Sequence, residues 1–202
     1  MPTLYYCRTS LSEVADHFQC ERPRPTDWSP ELWPGRTGLI VRQVEGQRRI
    51  EAMRWGLPPP AHSPHRNEPP RHNIWFRQIW PDERELCDPE ARCLIVLDSF
   101  ALPDGPAGAR TRTYFGYDDR PIFAWAGIWR DDGEESGFAG FNVEAGPPHT
   151  HRTMPAIVQP SDYATWLTID IASAHQLART ICADPSLYSV ASDQPWSTNR
   201  ST

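Results

Sequence analysis

The chain has 202 residues, of which 39% are hydrophobic, and its formal net charge is −6. A chain of this length and apolar content forms a sizeable core, which excludes an intrinsically disordered protein. No apolar run approaches the ~20 residues that cross a bilayer, and the first residues lack the basic and apolar segments of a secretory signal. These features predict a cytoplasmic protein without a membrane partner.

Charge and cysteine content narrow the function classes further. All 20 basic residues are arginine, which suits phosphate contacts and base stacking, although codon bias in a GC-rich genome is the simpler explanation. The absence of lysine excludes a lysine Schiff base. The net negative charge is unusual for a general nucleic-acid binder. The five cysteines are scattered and none forms a Cys-x-x-Cys pair, so we expect reduced thiols, no metal site and no cofactor.

The first half of the chain predicts a strand, a helix and a hairpin. In chain order, the expected elements are a strand at residues 5–9, a helix at 10–18, a proline-rich loop at 22–36, and strands at 38–44 and 49–55. Ser10 and Glu13 form a capping box at the start of the helix. The Glu45-Gly46 pair predicts a tight turn between the last two strands.

The second half predicts more strands and then two helices. In chain order, the expected elements are a polar loop at residues 57–71, a buried strand at 92–98, strands at 111–117, 121–129 and 138–143, and helices at 161–167 and 170–181. A turn at residues 118–120 is expected to join the two strands on either side of it. The whole pattern predicts one α+β domain over residues 1–191, with a curved, mostly antiparallel, barrel-like β-sheet core, flanking helices and a loose tail at residues 192–202.

Four short segments resemble, in their order and spacing, motifs of the SOS-response-associated peptidase (SRAP) family. The segments are Met53-Arg54-Trp55-Gly56-Leu57-Pro58, Arg92-Cys93-Leu94-Ile95, Phe123-Ala124-Trp125-Ala126-Gly127-Ile128-Trp129 and His151-Arg152-Thr153-Met154-Pro155. The resemblance implies an SRAP-like fold and a role in the SOS response to DNA damage, in which the family covalently captures abasic sites in single-stranded DNA. In that family the initiator Met is removed, and the amine and thiol of an N-terminal Cys trap the sugar aldehyde as a thiazolidine.

The resemblance also identifies the positions where this chemistry would take place. Pro2 takes the place of the catalytic Cys, so a thiazolidine cannot form. Leu102 takes the place of a Glu that moves protons, and Glu31 replaces a positioning Asn. His151 matches the family's acid/base histidine. The candidate catalytic residues are therefore Pro2, Glu31 and His151, with Pro2 as a secondary amine that condenses with an aldehyde to an iminium ion.

The family's DNA-contacting positions are similarly altered. In the segment that corresponds to Asn-Ala-Arg-x-Glu, Asn73 is kept, Trp75 replaces the phosphate-binding Arg, and Arg77 replaces the Glu. Arg54 and Arg152, which lie inside the matched segments, complete the candidate DNA contacts. Stacking on bases would come from Trp75, Phe76 or Trp80, and at least one of these three side chains is expected to pack in the core instead.

Three functions from different classes fit this pattern. The first is a diverged family member that binds single-stranded or abasic DNA without cross-linking it, as a pseudoenzyme. The second is an enzyme that forms an iminium with abasic DNA through Pro2. The third is a module on the same fold that binds a protein partner, which the acidic net charge favours.

Overall fold

The computed structural model describes residues 3–21, 23–60, 63–75, 88–133, 135–145, 153–169 and 186–196. The helices and strands are β1 (Leu4–Tyr6), α1 (Leu11–Phe18), β2 (Glu31–Leu32), β3 (Thr37–Val44), β4 (Gln47–Trp55), β5 (Asn73–Ile74), β6 (Arg92–Leu97), β7 (Ser99–Asp104), β8 (Thr111–Gly116), β9 (Phe123–Asp131), β10 (Ser136–Glu144), β11 (Thr153–Pro155), β12 (Ile157–Val158), α2 (Tyr163–Thr168) and β13 (Tyr188–Pro195). Short 3-10 turns at Pro89–Ala91 and Pro160–Asp162 precede β6 and α2. The predicted fold class, a single α+β domain, is confirmed.

The strands form two sheets. The smaller one has five strands in the order β13-β8-β7-β1-β2, all antiparallel. The larger one has eight strands, and its pairs are antiparallel except where β10 runs parallel to β4 and β5. Because β10 also pairs with β9, the strands β10, β4, β3, β6 and β9 close into a ring. This is the curved, mostly antiparallel core that the sequence predicts.

Aromatic side chains fill the interior between the two sheets. The rings of Tyr5, Trp55 and Trp125 are completely buried, with centroids 5.0–6.1 Å apart. Two glycines make room for them: a Cβ on Gly38 would lie 2.2 Å from the Tyr5 hydroxyl, and one on Gly140 would lie 2.1 Å from Trp125 ring carbons. Trp55, the tryptophan of the Trp-Gly segment, is thus a core residue.

Helix α1 begins as its sequence predicts. Ser10 is the N-cap, its hydroxyl accepts from the Glu13 amide at 3.4 Å, and the Glu13 carboxylate accepts from the Ser10 amide at 3.0 Å. Val14 and Phe18 face the core and are completely buried. The reciprocal bonds satisfy backbone donors that a helix start otherwise leaves open.

Two segments differ from the sequence expectation. The strands predicted around the turn at residues 118–120 exist, but β8 belongs to the small sheet and β9 to the ring, so they are not paired with each other. The domain boundary at residue 191 remains a prediction. Strand β13 nevertheless continues to Pro195, where it pairs with Thr111, and Trp196 packs against Trp33 with ring centroids 5.4 Å apart. The register shifts between Ala191 and Pro195, so the start of the predicted loose tail is held at Pro195 and Trp196, while the tail itself remains a prediction.

None of the described helices is both long enough and apolar enough to cross a membrane. The predicted helix at residues 170–181 lies outside the described residues.

Candidate functional site

The candidate nucleophile, Pro2, comes two residues before the first residue of β1, and this N-terminal end of β1 is called the free end of the small sheet. Leu4 pairs with Ala101 of β7, and the same antiparallel register, continued by one residue, sets Thr3 opposite Leu102. Leu102 is only 4% exposed and belongs to the main core cluster. A buried aliphatic side chain therefore occupies the place where the resembled family has a proton-moving Glu, and it cannot perform that step.

Glu31 lies on the other face of this small sheet. It pairs with Tyr6 in the β1–β2 register, and its carboxylate accepts from the Trp33 indole at 3.0 Å and from Arg112 at 3.3 Å. Arg112 also donates to the Tyr6 hydroxyl at 2.8 Å. Burial is the main cause of a raised pKa for Tyr6. The geometry gives Glu31 a structural role, and its predicted role in proton transfer requires this ion pair to break.

Strand β5 holds two of the candidate DNA contacts at the edge of the ring. Asn73 pairs in parallel with Gly140 of β10 and is half-buried, as is Trp75. The carbonyl of His72, just before the strand, accepts from the Gly140 amide at 3.1 Å and from the Trp55 indole at 2.8 Å. These bonds fix the backbone from which the side chains of Asn73 and Trp75 extend.

His72 is a titratable group in this region that the sequence analysis did not identify. Its ring is half-buried beside Gly56, where a Cβ would lie 3.5 Å from the imidazole Nε2 and 3.2 Å from Pro70. Burial, and secondly the charge of Arg54, lower the pKa of His72. The only signal in the sequence was its place directly before Asn73.

Arg54, another candidate DNA contact, points outward from β4. Its side chain is 51% exposed, and its contact with Glu135 is long, at 4.0 Å. Ion pairs this open to solvent contribute little to stability, so the guanidinium remains available to a phosphate. The strand itself is fixed at this point, because Arg54 pairs with both Thr37 of β3 and Gly137 of β10.

Asn142 is a second polar residue that sequence reasoning missed. It lies on β10 opposite Pro155, is 1% exposed, and neither atom of its amide has a hydrogen-bond partner among the described residues. An unmatched buried polar group costs about 1–3 kcal/mol. Such a side chain, two residues from Gly140 and on the same strand face, has an unused donor and acceptor.

Four candidate residues lie outside the described part of the chain: Pro2, Arg77, His151 and Arg152. The expected approach of the chain's beginning to the His151 imidazole therefore remains a prediction. The described part of the structure brings Thr3 close to Leu102, and brings Asn73 close to His72, Trp55 and Gly140.

The cysteine predictions can be examined at three positions. Cys7, Cys20 and Cys93 are free thiols. Cys7, directly after β1, is 1% exposed, and burial, followed by the charge of Asp98, raises its pKa to about 12. A thiol that stays protonated at neutral pH is a poor nucleophile. Cys7 is thus a buried structural residue and does not replace the missing catalytic Cys.

Comparisons with known proteins agree with this architecture. A solved protein from Bordetella bronchiseptica has a TM-score of 0.74 at 20% identity and covers 94% of this chain and 99% of its own. A protein from Bacteroides thetaiotaomicron gives 0.76 at 16% identity, covering 94% and 91%. A phage-related protein from Bordetella bronchiseptica gives 0.74 at 17%, covering 95% and 94%. At these identities the likeness shows the fold.

The family itself is shown by the sequence profile. No curated protein matches the chain. The profile of the SOS response associated peptidase (SRAP) family matches residues 1–193, which is nearly the whole sequence. The chain therefore belongs to the SRAP family, whose role is associated with DNA damage and abasic sites.

Proposed function

We propose that this protein binds single-stranded DNA that contains abasic sites, in the response to DNA damage, without forming the family's thiazolidine cross-link. The observation that carries the proposal is Leu102, which is buried at the position of the proton-moving Glu. Pro2 at the Cys position supplies no thiol, and Cys7 is buried and protonated. The scaffold is kept, while the groups that close the thiazolidine ring are missing.

The binding surface in this proposal surrounds β5 and the adjoining end of β4. Arg54 contacts a phosphate, Trp75 stacks on an unpaired base, and the Asn73 amide positions the sugar. Arg77 and Arg152 supply further phosphate contacts, and His151 lies beside the sugar. Support comes from the exposed guanidinium of Arg54 and from the backbone bonds that hold Asn73 next to β10. Because the net charge is −6, binding depends on local arginines and not on the overall field.

Fluorescence anisotropy with labelled single strands tests the proposal. One strand carries a stable abasic analogue and the other is intact, and both are titrated over a series of salt concentrations. We expect tighter binding of the abasic strand and a steep loss of affinity with salt. Loss of one phosphate contact in Arg54→Ala should lower the magnitude of the log–log salt slope by about 0.7.

The matched control is Arg110→Ala, which removes an exposed arginine beside the small sheet and leaves the net charge equal to that of the test variant. It should leave affinity and slope unchanged. The proposal is wrong if the wild-type protein retains neither strand in a salt-dependent manner.

A second candidate function rests on the Met1-Pro2 sequence at the family's catalytic position. Removal of Met1 would leave a proline amine, and with an ordinary α-amino pKa of about 7.7–8.0 a useful fraction is neutral at pH 7. The amine nitrogen adds to the aldehyde carbon of the open sugar. Loss of water, with a proton delivered by His151 or Glu31, then gives an iminium ion.

Borohydride reduces an iminium to a stable amine, so a covalent protein–DNA adduct after reduction would support this second function. Intact-mass analysis of the same preparation establishes whether Pro2 is the first residue. If the demethionylated protein yields no adduct, the DNA-binding function stands without covalent chemistry.

A further inference from the structure

One edge of β4 is unoccupied in the described part of the chain. The turn between β3 and β4 has two residues, Glu45 and Gly46, with φ of 50° and 82°. Two-residue turns with both φ positive are type I′, in which the flanking residues bond to each other. Val44 and Gln47 are those residues, so the backbone groups of Arg48, Ile50 and Ala52 point away from β3.

No described strand faces those backbone groups. Strand β10 meets β4 only at Arg54 and Trp55, which leaves the outward edge of the strand open before that point. A cleft of about 750 Å3 follows this edge, and consecutive residues of β4 from Arg49 to Met53 line it on one side. The loop after α1 (Glu21 and residues 23–26), Arg42, Trp129, Asp131 and Ser136 line the rest of it, so an added strand enters between these walls. Since neighbouring side chains of a strand point to opposite faces, consecutive lining residues mean that the cleft meets the edge itself.

An open edge with unpaired N–H and C=O groups is a template for another strand. We propose that a second copy of this chain pairs with it, β4 against β4, in antiparallel orientation about a two-fold axis at Ile50. The axis then passes between the Ile50 residues of the two copies. Their outward N–H and C=O groups bond each other, as in any hydrogen-bonded pair of an antiparallel ladder. The Arg48 amide and carbonyl then bond those of Ala52 in the partner.

Charge complementarity identifies the second copy as the occupant. In this register Arg49 of one copy faces Glu51 of the other, twice, at non-hydrogen-bonded positions where cross-strand side chains approach most closely. Among the described residues of one copy, Arg49 forms its ion pair with the exposed Glu45 at a long 3.8 Å, and its side chain is 43% exposed, so its guanidinium is available to the partner. If the register shifted by one residue, Arg49 would no longer face Glu51 of the other copy, and both ion pairs would be lost.

Two arginines near this edge are held by contacts within the chain. Arg48 donates to the Phe18 carbonyl at 3.0 Å, and its guanidinium is therefore held on the side of α1. Arg42 lies over the Trp129 ring at 4.2 Å and bonds Glu51 at 2.7 Å, so the carboxylate is fixed near the cleft. A few strand residues bury little area, and the dimer is therefore weak and concentration-dependent.

Sedimentation equilibrium over a range of protein concentrations tests the dimer. Arg49→Glu replaces two attractive pairs by two repulsive ones, and dimerisation should weaken about tenfold. The double variant Arg49→Glu with Glu51→Arg exchanges the charges and should restore most of the affinity. Its new carboxylate at position 49 lies directly across the hairpin from Arg42, which keeps a charge partner within each copy.

Arg66→Glu, an equal charge change at an exposed residue far along the chain, is the control and should leave the dimer intact. Amide exchange gives an independent reading: protection at Arg48, Ile50 and Ala52 should rise with concentration, while Arg49 and Glu51, which bond β3, stay unchanged. A wild-type monomer at every concentration overturns the proposal. So does a dimer that Arg49→Glu does not weaken, or one that the charge exchange does not restore.

Discussion

The aromatic interior between the two sheets and the free end of the small sheet differ in which side chains they can accept. Between the two sheets, Tyr5, Trp55 and Trp125 are packed so tightly that Gly38 and Gly140 have no space for a Cβ. At the free end, Leu102 occupies a position that needs only a side chain compatible with the core. The comparison shows that packing geometry limits change in this interior, whereas at the free end the residues with chemical roles can be replaced while the fold remains.

The largest effect is expected from restoring the reactive groups at the free end. Pro2→Cys with Leu102→Glu returns a thiol beside the N-terminal amine and a carboxylate opposite Thr3 in the β1–β7 register. The wild-type protein should form no thiazolidine with abasic single-stranded DNA, and the double variant should form a borohydride-independent cross-link. Denaturing gel electrophoresis of the protein–DNA mixture measures it.

Pro2→Cys with Leu102→Gln is the control, since the amide has nearly the same shape as the carboxylate but cannot accept the proton. It should cross-link more slowly than the Glu variant. Equal rates, or no cross-link in either variant, would show that more of the free end has changed than these two positions.

In the ring, a single methyl group should be costly. Gly140→Ala sets a Cβ 2.1 Å from carbons of the buried Trp125 ring, which must move within a closed set of strands. We expect a loss of about 3 kcal/mol in the free energy of unfolding. Urea denaturation followed by tryptophan fluorescence measures it.

Gly46→Asn is the matched control, because that glycine has nothing within 4 Å and Asn tolerates its positive φ of 82°. Its cost should be a small fraction of that for Gly140→Ala. If both substitutions cost the same, the space around Trp125 is not what requires a glycine at residue 140.

The smallest effect concerns two half-buried histidines, His72 directly before β5 and His17 in the last turn of α1. Burial lowers the pKa of both below the ordinary value of 6.5, and His17 also contacts the Tyr163 hydroxyl at 3.1 Å. The unfolded chain then binds more protons than the folded one, so the stabilisation is complete above pH 6.5 and declines as the pH falls through the folded pKa.

The measurement is the urea midpoint of the wild type, His17→Gln and His72→Gln at about pH 7.5 and pH 5.5. Each single variant should lose less stability on acidification than the wild type does. An unchanged pH dependence in both variants would mean that carboxylates alone control it.

Local patterns predicted those elements whose signals lie within a few residues. The capping box of Ser10 and Glu13 and the Glu45-Gly46 turn are both observed, because each depends on bonds between near neighbours. The buried strand β6 followed from its apolar composition.

The features that the sequence did not predict depend on contacts between residues that are far apart along the chain. Strand β2 has only two residues inside a proline-rich stretch, and its existence depends on pairing with β1. The division of β8 and β9 between two sheets has no local signal. The ion pair of Glu31 with Arg112 and the burial of Asn142 likewise follow from the tertiary fold. The residues next to Glu31 and Asn142 in the sequence therefore give no signal for either.

The ring closes through a strand that is made late in synthesis. Strand β10 pairs with β4, which leaves the ribosome far earlier, and with β9, which directly precedes it. A nascent chain that stops before residue 136 therefore carries an unfinished ring with both adjoining edges uncovered. During translation this protein has a window in which it is prone to aggregate, and the window ends only when the tenth strand emerges.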